Sequence, residues 1–299
     1  MTLAHPFKKW LGLIAYFALN LNAWSAASLN DLGLQQVVEV KEKHFGGAVG
    51  YRFEVLVRSN PFYIDGPVGK ATKAPVMHNT AYAIGEAGNY GLGMGVMQHS
   101  VGLVYGRTSY LRDLLKVFNH DNQTLFIDNT YLYPGNWSIS VGFRNMRLIN
   151  VDDGVTDYQG WSPSLSLGRL FLFSGGHQLS MHLRNEWKFS EIQGVPMTDL
   201  TQDRLNHWST DFGLDHKWQL FDTFSLRSHG GVKFSKYSKG SNRDRNDTLL
   251  GIRSSLYWTP LKLLSASIFV DHTNRLSSLD RNTYKNWDGG LRFESFYSF

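Results

Sequence analysis

The last thirteen residues of the chain alternate without a break. Trp287, Gly289, Leu291, Phe293, Ser295, Tyr297 and Phe299 fall on one side, and Asp288, Gly290, Arg292, Glu294, Phe296 and Ser298 on the other. The first face suits lipid. The second, apart from Phe296, suits water. Soluble antiparallel strands alternate in this way too. A strand that alternates up to the final residue, and ends there in an aromatic, is a much tighter restriction on the fold.

The same period recurs upstream. From residue 122 the chain divides into strand-sized pieces at 123–133, 137–149, 161–174, 177–191, 207–220, 223–238, 247–259, 262–275 and 284–299. The connections after the first, third, fifth and seventh are tight: Pro134-Gly135-Asn136, Gly175-Gly176, Phe221-Asp222 and Pro260-Leu261. The others, 150–160, 192–206, 239–246 and 276–283, are longer and polar. Within 207–220, Trp208, Phe212, Leu214, Trp218 and Leu220 share a face with Thr210 and His216, opposite Ser209, Asp211, Gly213, Asp215, Lys217 and Gln219. In 177–190, Leu179, Met181, Leu183, Trp187 and Phe189 oppose Ser180, His182, Arg184, Glu186, Lys188 and Ser190.

Short turns on one side, long loops on the other, and rows that begin or end in Trp or Phe form the pattern of an outer-membrane barrel with aromatic girdles. The C-terminal strand resembles the closing strand of bacterial outer-membrane β-barrels. In those proteins the C-terminal aromatic belongs to the signal read by the barrel-assembly machinery. The resemblance implies that Phe293, Tyr297 and Phe299 form this signal, with that machinery as a partner during biogenesis. It also implies contact with outer-membrane lipid and lipopolysaccharide.

The N-terminus agrees with export. Lys8 and Lys9 precede an apolar run, Leu11 to Leu19, and Ser25-Ala26-Ala27 offers the small residues that signal peptidase needs. The run is about half the roughly 20 residues a membrane-spanning helix requires. Residues 1–27 are therefore expected to be a cleaved signal peptide, with export through the periplasm to the bacterial outer membrane. Removing Lys8 and Lys9 lowers the formal net charge from +5 to +3, which is too mild to mark a nucleic-acid-binding protein. With no cysteine there are no disulfides and no thiolate metal sites. Aromatics at 14% and 29 glycines fit strands with girdled outer faces and a crowded inner wall.

The N-terminal third must supply an odd number of strands, because the first rises from the periplasm and the last returns to it. Residues 48–58, about 78–87 and about 90–106 qualify, with a tight turn at Gly88-Asn89 and a bulge near Gln98. The expectation is an all-β, transmembrane, antiparallel up-and-down barrel of twelve strands occupying residues 46–299. Residues 28–45 are read as a periplasmic or lumenal segment; were they a strand, the count would be fourteen. In Ser109 to Phe118, Leu111, Leu114, Leu115 and Phe118 recur at helical spacing. This segment belongs to an extracellular connection, either folded inward as a constriction or capping the loop.

Alternation assigns an inner wall charged in both signs. Its basic members include Arg52, Arg58, Arg144, Arg184, Lys188, Lys217, Arg227, Lys233, Arg253 and Arg292, and its acidic members Glu54, Glu186, Asp211, Asp215, Asp271, Asp288 and Glu294. Such a wall either lines a water-filled pore whose constriction sets selectivity, or closes the lumen by cross-strand ion pairs. His182 and His229, with Asp211 and Asp215 on the strand between them, could bind metal or shuttle protons. Nothing in their spacing resembles a helical metal motif, and neither metal nor cofactor is expected.

An enzymatic alternative comes from a second resemblance. Some barrels of similar plan hydrolyse phospholipid or lipid A acyl esters with a Ser nucleophile and a His base. The nearest candidates here are His99-Ser100 and Ser228-His229. Adjacent strand residues point to opposite faces, and the two-residue spacing of those enzymes is missing. The first expectation is therefore a narrow channel for passive diffusion of small polar or charged solutes. Lipid hydrolysis, and a closed barrel with a structural or surface role, stand as alternatives. Oligomeric state is left open between monomer and homo-oligomer.

Overall fold

The computed structural model describes residues 45–60, 73–92, 94–192 and 205–299. The expected signal peptide and residues 28–44 lie outside these. Twelve strands are present among the described residues: β1 (Phe45–Arg58), β2 (Ala74–Leu92), β3 (Gly95–Tyr110), β4 (His120–Tyr133), β5 (Trp137–Asn150), β6 (Thr156–Phe173), β7 (His177–Ile192), β8 (His207–Phe221), β9 (Phe224–Tyr237), β10 (Asn246–Leu261), β11 (Leu264–Ser277) and β12 (Tyr284–Ser298). Each pairs antiparallel with the next, and β1 pairs antiparallel with β12 to close the barrel.

The alternation in the sequence becomes two surfaces. Outward positions are apolar and open, as at Val141, Ile252 and Ile268, which are 56%, 63% and 58% exposed. A continuous apolar belt of this kind far exceeds what a water-soluble monomer tolerates. Rings rim it: Trp137, Trp218 and Trp258 near the short turns, and Trp161, Trp208 and Trp287 near the long loops. Strands of 14 to 19 residues exceed the 9–11 or so that span a bilayer, so the barrel projects beyond the belt.

Tight turns close five hairpins. Between β6 and β7, Gly175 and Gly176 adopt φ of 76° and 78°, the left-handed region that only glycine enters freely.

Three details differ from the sequence reading. The β2–β3 turn falls between Leu92 and Gly95, not at Gly88-Asn89, and the irregularity lies in β2 between Gly88 and Tyr90, facing Gln98 and Met97. A glycine-rich stretch carries little face information, so alternation alone places such a turn poorly. The β10–β11 turn falls after Leu261, beyond Pro260. The ladder shifts register between Trp258 and Leu261, an arrangement that accommodates a residue with no N–H to donate. The β5–β6 connection is also short, since β6 begins at Thr156.

The leucine-rich segment after β3 forms a short helix, Asp113–Phe118. Leu115 and Phe118 are buried in a cluster with Leu56, Ala74, Val76, Tyr110 and Phe269. All five partners are inward positions on β1, β2, β3 and β11, so the helix enters the barrel mouth and rests against its inner wall. It is a short helix whose buried side chains face the inner wall. Leu111 and Val117 remain exposed. Lys116 Nζ lies 2.8 Å from Asp113 and holds that carboxyl below its ordinary range.

Candidate functional site

The inner wall is built by the strand register, and it has two unlike sides. Along β1–β4 it is packed. Tyr82, Ile84, Val104 and Phe126 form an apolar cluster, with Phe296 of β12 against it. This explains the one apolar residue on the inward face of the last strand. A Cβ at Gly50 or Gly102 would collide with the rings of Tyr82 and Phe126, so those glycines give the aromatics room to lie against the wall.

The closing seam is packed with charge. Arg52 Nη2 donates to Glu294 at 3.0 Å, Arg292 Nε to Glu54 at 2.5 Å, and Arg58 Nε to Asp288 at 3.1 Å. These pairs step along β1 and β12 as direct cross-strand neighbours. They are almost fully shielded from water; the Arg292 side chain is 3% exposed. At the long-loop end, Arg245 from the β9–β10 connection folds inward with no side-chain exposure. It grips Asp247 with two hydrogen bonds and stacks over Tyr237 at 4.4 Å.

From β5 to β11 the wall is charged; it is buried toward the long loops, at His207, Asp247 and Arg275, and wetter further in, at Asp215, His229, Arg253 and Asp271. Arg184 Nη2 lies 3.3 Å from Glu186 and donates to Ser164 Oγ at 3.2 Å. Asp211 faces Arg184 on one side and Lys233 on the other. Lys233, Arg184, Lys188 and Arg144 all lie within the field of Glu186. Arg253 pairs with Asp271 at 2.6 Å, with both side chains more than 20% exposed. Lys217 and Arg227 face each other directly across β8 and β9.

The register also unites three residues that lie far apart in sequence. Asp215 Oδ1 accepts from His229 Nδ1 at 2.7 Å, and its Oδ2 lies 3.5 Å from His182 Nδ1. The two imidazoles are near parallel with centroids 6.4 Å apart. His182 lies across Gly213, where a Cβ would strike the ring. Gly213, Gly231 and Gly251 pair across β8, β9 and β10 and leave the wall thin beside the histidines. Asp215 and His229 are 27% and 32% exposed. Asp211 sits two inward steps along β8, beyond Gly213, opposite Arg184. No group of three His, Asp or Glu side chains is arranged to hold a metal among the described residues.

All twelve residues expected to line the pore take inward positions: Arg52, Arg144, Arg184, Glu186, Lys188, Asp211, Asp215, Lys217, Arg227, Lys233, Arg253 and Arg292. The hydrolase candidates are split. His99 is outward and exposed, with Nδ1 2.5 Å from Asn129 Oδ1. Ser100 points inward, paired across the ladder with Asp128. Ser228 is outward and hydrogen-bonded to Ser254 at 3.0 Å, while His229 is inward. Neither sequence pair forms a Ser–His dyad. Phe293, Tyr297 and Phe299 are all outward and at least half exposed. Residues that face analysis missed are Arg245, which sits in a loop where alternation is silent, and Tyr257, whose role depends on its neighbours across the ladder.

No protein-family model matches the chain, and no curated protein sequence matches it. Solved structures match its fold. An outer membrane channel from Pseudomonas putida F1 is 12% identical, with 87% of this chain and 97% of that chain covered, at a TM-score of 0.53. The translocator domain of the autotransporter NalP from Neisseria meningitidis is 11% identical over 91% of this chain and 97% of its own, at 0.44. The NanC porin is 10% identical over 85% and 99%, at 0.42. The last two similarities are too loose to carry weight, and the first concerns the fold alone. With its closed meander of twelve antiparallel strands, apolar belt and charged lumen, the chain has the fold of the bacterial outer-membrane β-barrels.

Proposed function

We propose that this protein is a narrow outer-membrane channel for passive diffusion of small polar or charged solutes, running along the β6–β10 side of the lumen. The short turns then face the periplasm and the long loops the exterior. One observation carries the reading: the two sides of the inner wall are filled differently. Seam charges on β1 and β12 are at most 14% exposed, whereas Asp215, His229, Arg253 and Asp271 are 21–32% exposed. Charged side chains that keep water contact in mid-wall fit an aqueous path. A lumen sealed by ion pairs would bury them as the seam does. The Pseudomonas putida structure is described as a channel, which agrees with this reading at the level of fold.

The path is narrow, because the Asp113–Phe118 helix fills part of the outer mouth and the apolar cluster of β2–β4 fills part of the interior. Both signs of charge along it predict weak selectivity. The test is single-channel conductance of the purified protein in a planar bilayer, with reversal potential under a salt gradient. Discrete steps altered by Arg184→Gln or Asp211→Asn are expected. A folded but silent barrel would rule the channel out.

A further inference from the structure

We infer that Lys217 and Arg227 form an oxyanion-binding subsite at the short-turn mouth of the lumen, for a small solute bearing carboxylate or phosphate groups. The inference rests on the channel reading, since the solute reaches the pair through the lumen.

The starting observation is an unfavourable pairing. Lys217 and Arg227 are direct cross-strand partners on the inward face. Like charges placed opposite each other in an antiparallel pair destabilise it. Elsewhere on this wall most opposed charges are of opposite sign: Arg52 with Glu294, Glu54 with Arg292, Arg253 with Asp271, Asp211 with Lys233. The other like-signed pair, Asp271 with Asp288, is compensated, since Arg253 pairs with the first and Arg58 with the second. Here the flanking partners are neutral, Gln178 of β7 beside Lys217 and Ser255 of β10 beside Arg227.

Neighbouring carboxylates do not compensate. Asp215, one inward step from Lys217, is engaged by His229 and His182. Asp222, on the connecting turn, is exposed and forms no ion pair with either cation among the described residues.

Arg227 is also held ready. Its guanidinium lies over the Tyr257 ring at 4.2 Å. The Tyr257 hydroxyl accepts from Arg292 Nη1 at 2.8 Å, and Arg292 is locked to Glu54. The ring is thus fixed from behind, and the guanidinium plane is set by stacking on it. The Arg227 Nε is buried without a hydrogen-bond partner. A planar fork with open donors beside a lysine point charge is the combination that recognises carboxylate and phosphate. Two positive charges match a dianion best. Partial exposure of both cations allows release, which a conducting pathway also needs.

The test is isothermal titration calorimetry at low ionic strength on the detergent-purified protein, with succinate and with inorganic phosphate as probes. Wild type is compared with Lys217→Gln, Arg227→Gln, the double variant and Lys217→Arg. Heat-modifiable mobility on gels checks that each is folded. Saturable binding that weakens at least tenfold in the double variant and is kept by Lys217→Arg supports the subsite; whichever probe binds names the oxyanion. Absence of saturable binding by either probe overturns it, as does binding that the double variant leaves unchanged. In bilayers the double variant is expected to shift the reversal potential toward cations. A silent wild-type barrel would sink the channel reading, and calorimetry would still decide the subsite.

Discussion

Glu54 on the first strand accepts a hydrogen bond from Arg292 on the last, across the seam where the two ends of the barrel meet. Both side chains are shielded from water, so neither can shed its partner without leaving a buried charge. Arg292→Leu is expected to cost about 3–5 kcal/mol, the usual penalty for breaking one half of a buried pair. Glu54→Leu/Arg292→Leu should recover most of it. Urea unfolding in lipid vesicles measures both alongside Glu54→Leu, and a loss in the double variant equal to the sum of the two single losses would show that the pair is not coupled.

Gly213 and Gly230 make an internal control for the histidine cluster. A Cβ at Gly213 meets the His182 ring, whereas at Gly230 it meets nothing within 4 Å. Gly213→Ala should destabilise the barrel by about 1–3 kcal/mol through overpacking and alter the conductance. Gly230→Ala should do neither. Similar effects from both would mean that backbone entropy, not the ring, governs the position.

The short helix packs against the inner wall at the long-loop end of the barrel. Leu115→Ala with Phe118→Ala removes the two side chains that anchor it to β1, β2, β3 and β11. Each large-to-alanine change in a packed cluster costs about 2–5 kcal/mol, which is enough to undock a short connection. Larger and noisier single-channel steps are expected. An unchanged step size would place the constriction elsewhere.

Ser228 and His99 both face the lipid side, Ser228 hydrogen-bonded to Ser254 and His99 to Asn129. The purified protein is expected to release no fatty acid from phospholipid or lipid A. Mass spectrometry of lipids incubated with wild type, His99→Ala and Ser228→Ala checks this. Acyl release lost in either variant would replace the channel reading with an enzymatic one.

Strand number, closure and wall composition were legible because a period of two survives in single sequences. Trp208, Phe212 and Leu214 could only lie on one face, and Asp211 and Asp215 only on the other. The hairpin at Leu92 was not legible, since Gly91 and Gly95 report no face. Nor was the stacking of Arg227 on Tyr257, or the meeting of His182 and His229 over Asp215. Those contacts depend on how far each strand slides along the next, and that stagger is a property of the closed barrel as a whole. Arg245 escaped notice for a simpler reason: in a connecting loop, alternation has nothing to say about direction.

The reciprocal backbone hydrogen bonds between Gly47 and Phe299, both 3.0 Å, bring together residues from opposite ends of the described chain. Contacts of such sequence separation carry the largest loop-closure entropy and slow folding most. Until they form, β1 and β12 are two unpaired edges, open to any other strand. Closure waits for β12, which gives β1 its second neighbour after β2, and in the interval both edges need shelter from aggregation.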